Sequence, residues 1–181
     1  MKKILYMCLF FAVGTVTAQK YYTKTGQTDF KASVAAFEPV EAKSNSTTAV
    51  LKVDSGDLAA LIFIKSFHFK VALMEEHFNE NYMDSDKFPK ATFRGKLEGF
   101  NMSDLSSTAK EYNLTGTLTV RGEKKEIATT AKVSKNGEKI IIESFFSVKP
   151  QEFGIEIPSI VREKIAKEIN ISLNYELVEK K

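Results

Sequence analysis

His68 and His77 are the only histidines in this 181-residue chain, and with Glu76 and Asp84 nearby they sketch a metal site of two imidazoles and one carboxylate. Such a site could activate water for hydrolysis. The segment joining the two histidines, however, crosses from a strand-like pattern into a helical one, so the spacing imposes no coordination geometry. His77, with Asn79, also has a plainer reading as a tie between a helix and its adjacent loops. Nucleophilic chemistry finds less support. The one cysteine, Cys8, sits near the N-terminus, no glycine-rich phosphate loop is present, and no serine has a base placed beside it by the local pattern. His68 and His77 stand as metal candidates for a metal-dependent hydrolase, but no enzymatic activity is expected.

What the chain carries in quantity is alternating apolar side chains. Phe30, Ala32 and Val34 share one face against Asp29, Lys31 and Ser33, after a break at Gly26-Gln27. Residues 37–46, with Pro39, read as a loop or edge segment. Ala49, Leu51 and Val53 run into a turn at Asp54–Asp57, and Leu58 to Ile64 returns as the hairpin partner. Further on, Ala91, Phe93, Gly95 and Leu97 share a face, as do Tyr112, Leu114, Gly116, Leu118 and Val120. A turn at Gly122-Glu123 leads to Ile127, Thr129, Ala131 and Val133. Asn136-Gly137 marks the next hairpin, into Ile140, Ile142, Ser144, Phe146 and Val148. Ile169, Ile171, Leu173, Tyr175 and Leu177 alternate to the end.

Two stretches depart from this period of two. Residues 72–83 place Leu73, Met74 and Phe78 at helical spacing, and Pro158-Ser159 opens a second short helix over 159–166 with Ile160, Val161 and Ile165 inward. Together these predict an all-β chain folded as an antiparallel up-and-down barrel of about eight strands with two short helices. A barrel of that size either packs its interior or encloses one small ligand. From alternation alone, the inward rows read as plain core ahead of cavity wall.

Lys2 and Lys3, an apolar run from Ile4 to Val13 and the small residues before Gln19 form the pattern of a secretory signal peptide over 1–18, with a cut near Ala18. The apolar run is too short to span a bilayer, and no later segment matches that length without charges. Removing residues 1–18 from 181 leaves 163 as a single domain, 19–181, and the loss of Lys2 and Lys3 takes the net charge from +3 to +1. So neutral a chain gives no reason to expect a nucleic-acid partner. It also carries no cysteine, hence no disulfide. The expected location is periplasmic or secreted.

Several blocks carry a family resemblance: Phe67-x-Phe69, Met74, the run Glu76 to Met83, Phe88-Pro89-Lys90-Ala91-Thr92-Phe93-x-Gly95, Leu118-Thr119-Val120-x-Gly122, and Ile157 to Val161. They resemble the YceI-like family of polyisoprenoid-binding, lipocalin-like barrels, and His77 to Tyr82 is similar to the version found in secreted proteins of Bacteroidetes-type bacteria. The resemblance implies a ligand cavity. The partner would be an isoprenoid or acyl lipid, quinone or phosphate-headed, with no cofactor otherwise. The inward residues Phe30, Phe93, Leu97, Leu114, Leu118, Ile142, Phe146, Ile171, Leu173 and Tyr175 would then meet the ligand. Gly95, Gly116, Ala91, Ala131 and Ala32 would leave it room or permit strand curvature. Leu73, Met74 and Phe78 would form a lid or a plug. Asn79, Asn81, Tyr82 and Arg94 are head-group candidates, although alternation points Arg94 outward. A ligand-free periplasmic interaction or adhesion module is the alternative reading.

Overall fold

The computed structural model describes residues 19–180, so the signal-peptide reading of residues 1–18 and Cys8 lie outside the described residues. The strands are β1 (Lys20–Ser33), β2 (Glu41–Lys52), β3 (Asp57–Phe63), β4 (His68–Phe69), β5 (Lys90–Leu97), β6 (Lys110–Val120), β7 (Glu123–Asn136), β8 (Lys139–Val148) and β9 (Ile165–Glu179). All pairings are antiparallel, and β1 pairs with both β2 and β9, which closes the sheet into an up-and-down barrel. Among the described residues closure gives every long strand a partner on both sides for at least part of its length. The two-residue β4 is only a strap, pairing His68 and Phe69 with Lys43 and Ala42 of β2.

Short turns make the meander possible. Arg121 and Gly122 form the β6–β7 turn at φ 50° and 82°, one residue earlier than the sequence pattern placed it. In the β7–β8 hairpin the central residues are Gly137 and Glu138, with Gly137 at φ 61° in the first central position. Gly26-Gln27 is no boundary. Register shifts on both sides of Gly26 make it a bulge inside one continuous strand, and a Cβ there would lie 2.6 Å from Cδ1 of Tyr175.

The first helical stretch folds as α1 (Ala72–His77) and continues as a wider π turn over Phe78–Tyr82, closed by Met83 N–H donating to the Phe78 carbonyl at 2.9 Å. The second expected helix, 159–166, is a single 3-10 turn at Ser159–Val161, and β9 already begins at Ile165. Ile160 projects into solvent, 86 % exposed, so no apolar helix face forms there, and pairing of Ile165 with Ser33 captures the rest for the sheet. Among the described residues no helix is long and apolar enough to cross a membrane.

Register divides the barrel lengthwise. One end holds the turns after Lys52, Leu97 and Asn136 together with Lys20 and Glu179; the other holds Ser33, Phe63, Lys90, Val120, Val148 and Ile165. The first end is packed solid by a cluster that includes Leu51, Leu97, Val133, Ile140, Ile142 and Leu177. A smaller cluster of Phe30, Ala32, Ala42, Ile62 and Phe67 lies toward the second end.

Candidate functional site

Above the packed end the barrel is hollow. A cavity of about 510 Å³ runs from Tyr175 and Leu114 up to the second end, where it meets solvent. Sheet alternation supplies its wall: Phe30 from β1, Phe93 from β5, Leu114 and Leu118 from β6, Phe146 from β8, and Ile171, Leu173 and Tyr175 from β9. Met74 and Phe78 cover part of the mouth, whereas Leu73 is 57 % exposed and contributes nothing to the lid.

Leu97 and Ile142 do not reach the cavity. Their exposures of 0 % and 1 % come from the packed cluster, where Ile142 pairs with Tyr175 and Leu97 with Leu114 at the level of the cavity floor. They face inward as their alternation requires, but pack among the floor side chains without opening onto the space. Ala131 belongs to the same packed cluster. Gly95 and Gly116 sit opposite each other on β5 and β6, and the space they open is taken by the Phe93 ring, which a Cβ on Gly95 would approach to 2.5 Å. These glycines seat a wall residue. They leave no channel for a guest.

The lid is anchored by aromatic rings. Phe78 stacks on Phe30 with centroids 5.2 Å apart and also meets Phe67 at 5.8 Å and Phe69 at 5.2 Å. The Phe67-x-Phe69 pattern therefore ties α1 and its π turn to the wall. Asn79 Nδ2 donates to the Glu75 carbonyl at 2.9 Å, and Ser85 N–H donates to the Asn79 carbonyl at 2.8 Å, fastening the turn after the helix.

A second part of the wall had no strand signal. The β7–β8 ladder stops at Ala131 and Ser144, so the Glu123–Thr130 edge of β7 lacks its β8 partner. The connection after β8 covers this side with Phe153, 2 % exposed, and with Ile155 and Ile157 lining the cavity. Arg121 holds that connection in place, Nη1 donating to the Gly154 carbonyl at 2.6 Å, while its guanidinium lies over the Phe88 ring.

Polar groups are few and segregated. At the mouth, His77, Tyr82, Glu38 and Lys164 border the cavity. Arg94 is exposed on the outer face, and Asn79 and Asn81 do not line the cavity. At the floor stand Thr28, Thr47 and Tyr175, with exposures of 6 %, 1 % and 3 %. Thr28 Oγ1 lies 2.8 Å from Thr47 Oγ1 and 3.2 Å from the Tyr175 hydroxyl. Burial pushes the Tyr175 phenol above its ordinary value. A visible signal marked the two threonines: each is a polar residue on an otherwise apolar strand face, Thr28 in phase with Phe30 and Thr47 with Ala49.

The two histidines do not form a site together. His68 points outward from β4, its Nδ1 3.6 Å from Glu75 Oε2, while His77 borders the cavity mouth. Among the described residues no three metal-binding side chains converge.

Comparison with known proteins places this architecture. A model of the YceI-like domain matches residues 16–177. The fold is similar to a polyisoprenoid binding domain from Saccharophagus degradans, at 11 % identity and TM-score 0.75, covering 90 % of this chain and 99 % of that one. It is also similar to BcnA of Burkholderia cenocepacia, at 19 % identity and TM-score 0.69 over 84 % and 96 % of the two chains. The YceI protein of Campylobacter jejuni matches at 21 % identity and TM-score 0.64, over 80 % and 88 %. No curated protein matches the chain.

Proposed function

The chain belongs to the YceI-like domain family, and we propose that it is a lipid-binding protein holding a long-chain polyisoprenoid, isoprenoid quinone or similar amphipathic lipid inside the barrel. The observation that carries this reading is the cavity: about 510 Å³, walled almost entirely by aliphatic and aromatic side chains, above a half that is packed solid. A chain-like apolar guest gains about 25 cal/mol per Å² of apolar surface buried and makes little directional demand, which suits such a wall. The polyisoprenoid ligand class of the Saccharophagus degradans neighbour supports the isoprenoid assignment. The role is binding, without catalysis. The signal-peptide pattern of residues 1–18 supports delivery to the periplasm or beyond.

The test is native mass spectrometry with lipid extraction on protein exported to a bacterial periplasm. One isoprenoid or acyl lipid per chain is expected, lost in Leu118→Glu while the fold persists. Folded protein that is reproducibly empty refutes the reading.

A further inference from the structure

We propose that the hydroxyls of Thr28, Thr47 and Tyr175 form a subsite for a neutral, oxygen-bearing lipid head group, so that the ligand enters head first and leaves its hydrocarbon tail toward the mouth. The inference rests on the lipid-binding reading above and adds to it an orientation and a head-group class. The three residues come from β1, β2 and β9, consecutive around the closed sheet, and all three line the cavity at its deepest level. The rest of the surrounding floor is mostly hydrocarbon, including Leu58, Leu114 and Leu173, and Thr129, which pairs with Leu114, already donates its hydroxyl to the Phe145 carbonyl.

Hydrogen counting shows that the cluster is incomplete. Each hydroxyl donates once and accepts twice; the close contacts among the three are Thr28–Thr47 and Thr28–Tyr175, and Thr47 also lies near enough to the Tyr175 hydroxyl to bond it weakly. Two bonds consume two of the three hydrogens. The third O–H has at best the weaker Thr47–Tyr175 contact inside an apolar chamber, and lone pairs remain free. Buried polar groups ordinarily find good partners, so the weakly held donor and the unused lone pairs suit an oxygen from the guest.

The chemistry of that guest follows from the charges. Glu38, His77 and Lys164, which border the cavity, belong to the connections at the mouth, and among the described residues no cation lines the floor. Burial keeps the Tyr175 phenol protonated. An anionic head group would be buried without a countercharge, whereas a hydroxyl, phenol, ketone or quinone oxygen is satisfied by the weakly held O–H. The floor is also a built feature. The β1 backbone bulges at Gly26, where only the absence of a Cβ lets the Tyr175 ring seat against the strand, 2.6 Å from where that atom would be.

The test compares three probes, delivered from cyclodextrin to delipidated protein: geranylgeraniol, the matching hydrocarbon without the hydroxyl, and geranylgeranyl diphosphate. The alcohol is expected to bind about tenfold tighter than the hydrocarbon, as one satisfied buried hydrogen bond implies. The diphosphate is expected to bind more weakly than the alcohol. Thr47→Val and Tyr175→Phe, each checked for an unchanged thermal melt, are expected to shrink the ratio of the alcohol's affinity to the hydrocarbon's. Equal binding of alcohol and hydrocarbon by the unmodified protein overturns the subsite and leaves lipid binding standing. A preference that survives in both variants, or a diphosphate that binds best, overturns the subsite in the same way. Failure of every probe to bind overturns the lipid-binding reading itself.

Discussion

Leu97→Ala and Leu118→Ala remove the same atoms from two neighbouring strands, yet they are expected to report on opposite halves of the barrel. Leu97 is 0 % exposed in the packed cluster, so its truncation loses the transfer free energy of the deleted carbons and leaves a void that its neighbours fill only in part. Deletions of this kind cost about 3 kcal/mol. For a domain of this size that lowers Tm by about 6–12 °C. Leu118 borders a space that already exists, so truncation merely enlarges it. No new void term arises, and a cost of about 1 kcal/mol is expected in lipid-free protein. The order reverses for binding: Leu118→Ala is expected to weaken a bound isoprenoid by about tenfold through lost apolar contact, and Leu97→Ala to leave affinity unchanged. Urea titrations of delipidated protein, with m held constant across variants, give the first pair of numbers, and calorimetry with geranylgeraniol gives the second. If Leu118→Ala destabilises the lipid-free protein as much as Leu97→Ala does, the upper half is packed and the division of the barrel is wrong.

Three further substitutions probe the wall, the covering connection and the floor. Gly95→Ala places a Cβ against the Thr115 carbonyl and 2.5 Å from the Phe93 ring; a loss of about 1–3 kcal/mol is expected by denaturant titration, and Phe93→Ala in the same chain is expected to recover only the part due to the ring. Arg121→Ala deletes the 2.6 Å bond to the Gly154 carbonyl, and faster amide exchange is expected across 150–157 with the packed end unaffected. Unchanged protection there would show that the guanidinium holds nothing. Because burial raises the Tyr175 phenol above the ordinary 10.0, its contribution to stability is complete below about pH 10, where both folded and unfolded chains are protonated. As pH climbs past that value the unfolded chain ionises first, and stability falls until the folded group titrates as well. Tyr175→Phe is expected to flatten part of this alkaline slope in pH-dependent melts, with further parts from Tyr21, which burial and the nearby Glu179 and Glu138 also raise, and from Lys110, raised by its bond to Asp104.

Alternation made the barrel legible because a strand with one buried face must repeat every two residues, and nearly every inward residue inferred from that rule does face inward. Depth along the axis is a different quantity. Leu97 and Leu118 obey the same pattern, and only the register between strands puts one in packed core and the other on the cavity wall. Helical spacing misled at 159–166 because Ile160, Val161 and Ile165 fit a helix as a list of positions, while the neighbouring β1 offered hydrogen bonds to the last of them. The wall segment around Phe153 and Ile155 was illegible for a related reason: it follows no period, and its place is decided by a gap between β7 and β8 that exists only once the sheet is formed.

Tyr175 stands on the boundary between these halves and belongs to both. Its ring packs with Ile142 and Leu177 in the solid end, and its hydroxyl faces the hollow one. A cavity of this size contributes nothing to folding by itself, so stability must come from the closed hydrogen-bonded sheet and from the layers beneath that ring. Removing the whole side chain would join the two halves, costing packing below and altering the floor above at once. Replacing it by phenylalanine separates the two roles, because the ring stays seated against Gly26 while the donor to a guest is gone. A binding defect in Tyr175→Phe without a defect of the packed end can therefore arise only at the floor of the cavity.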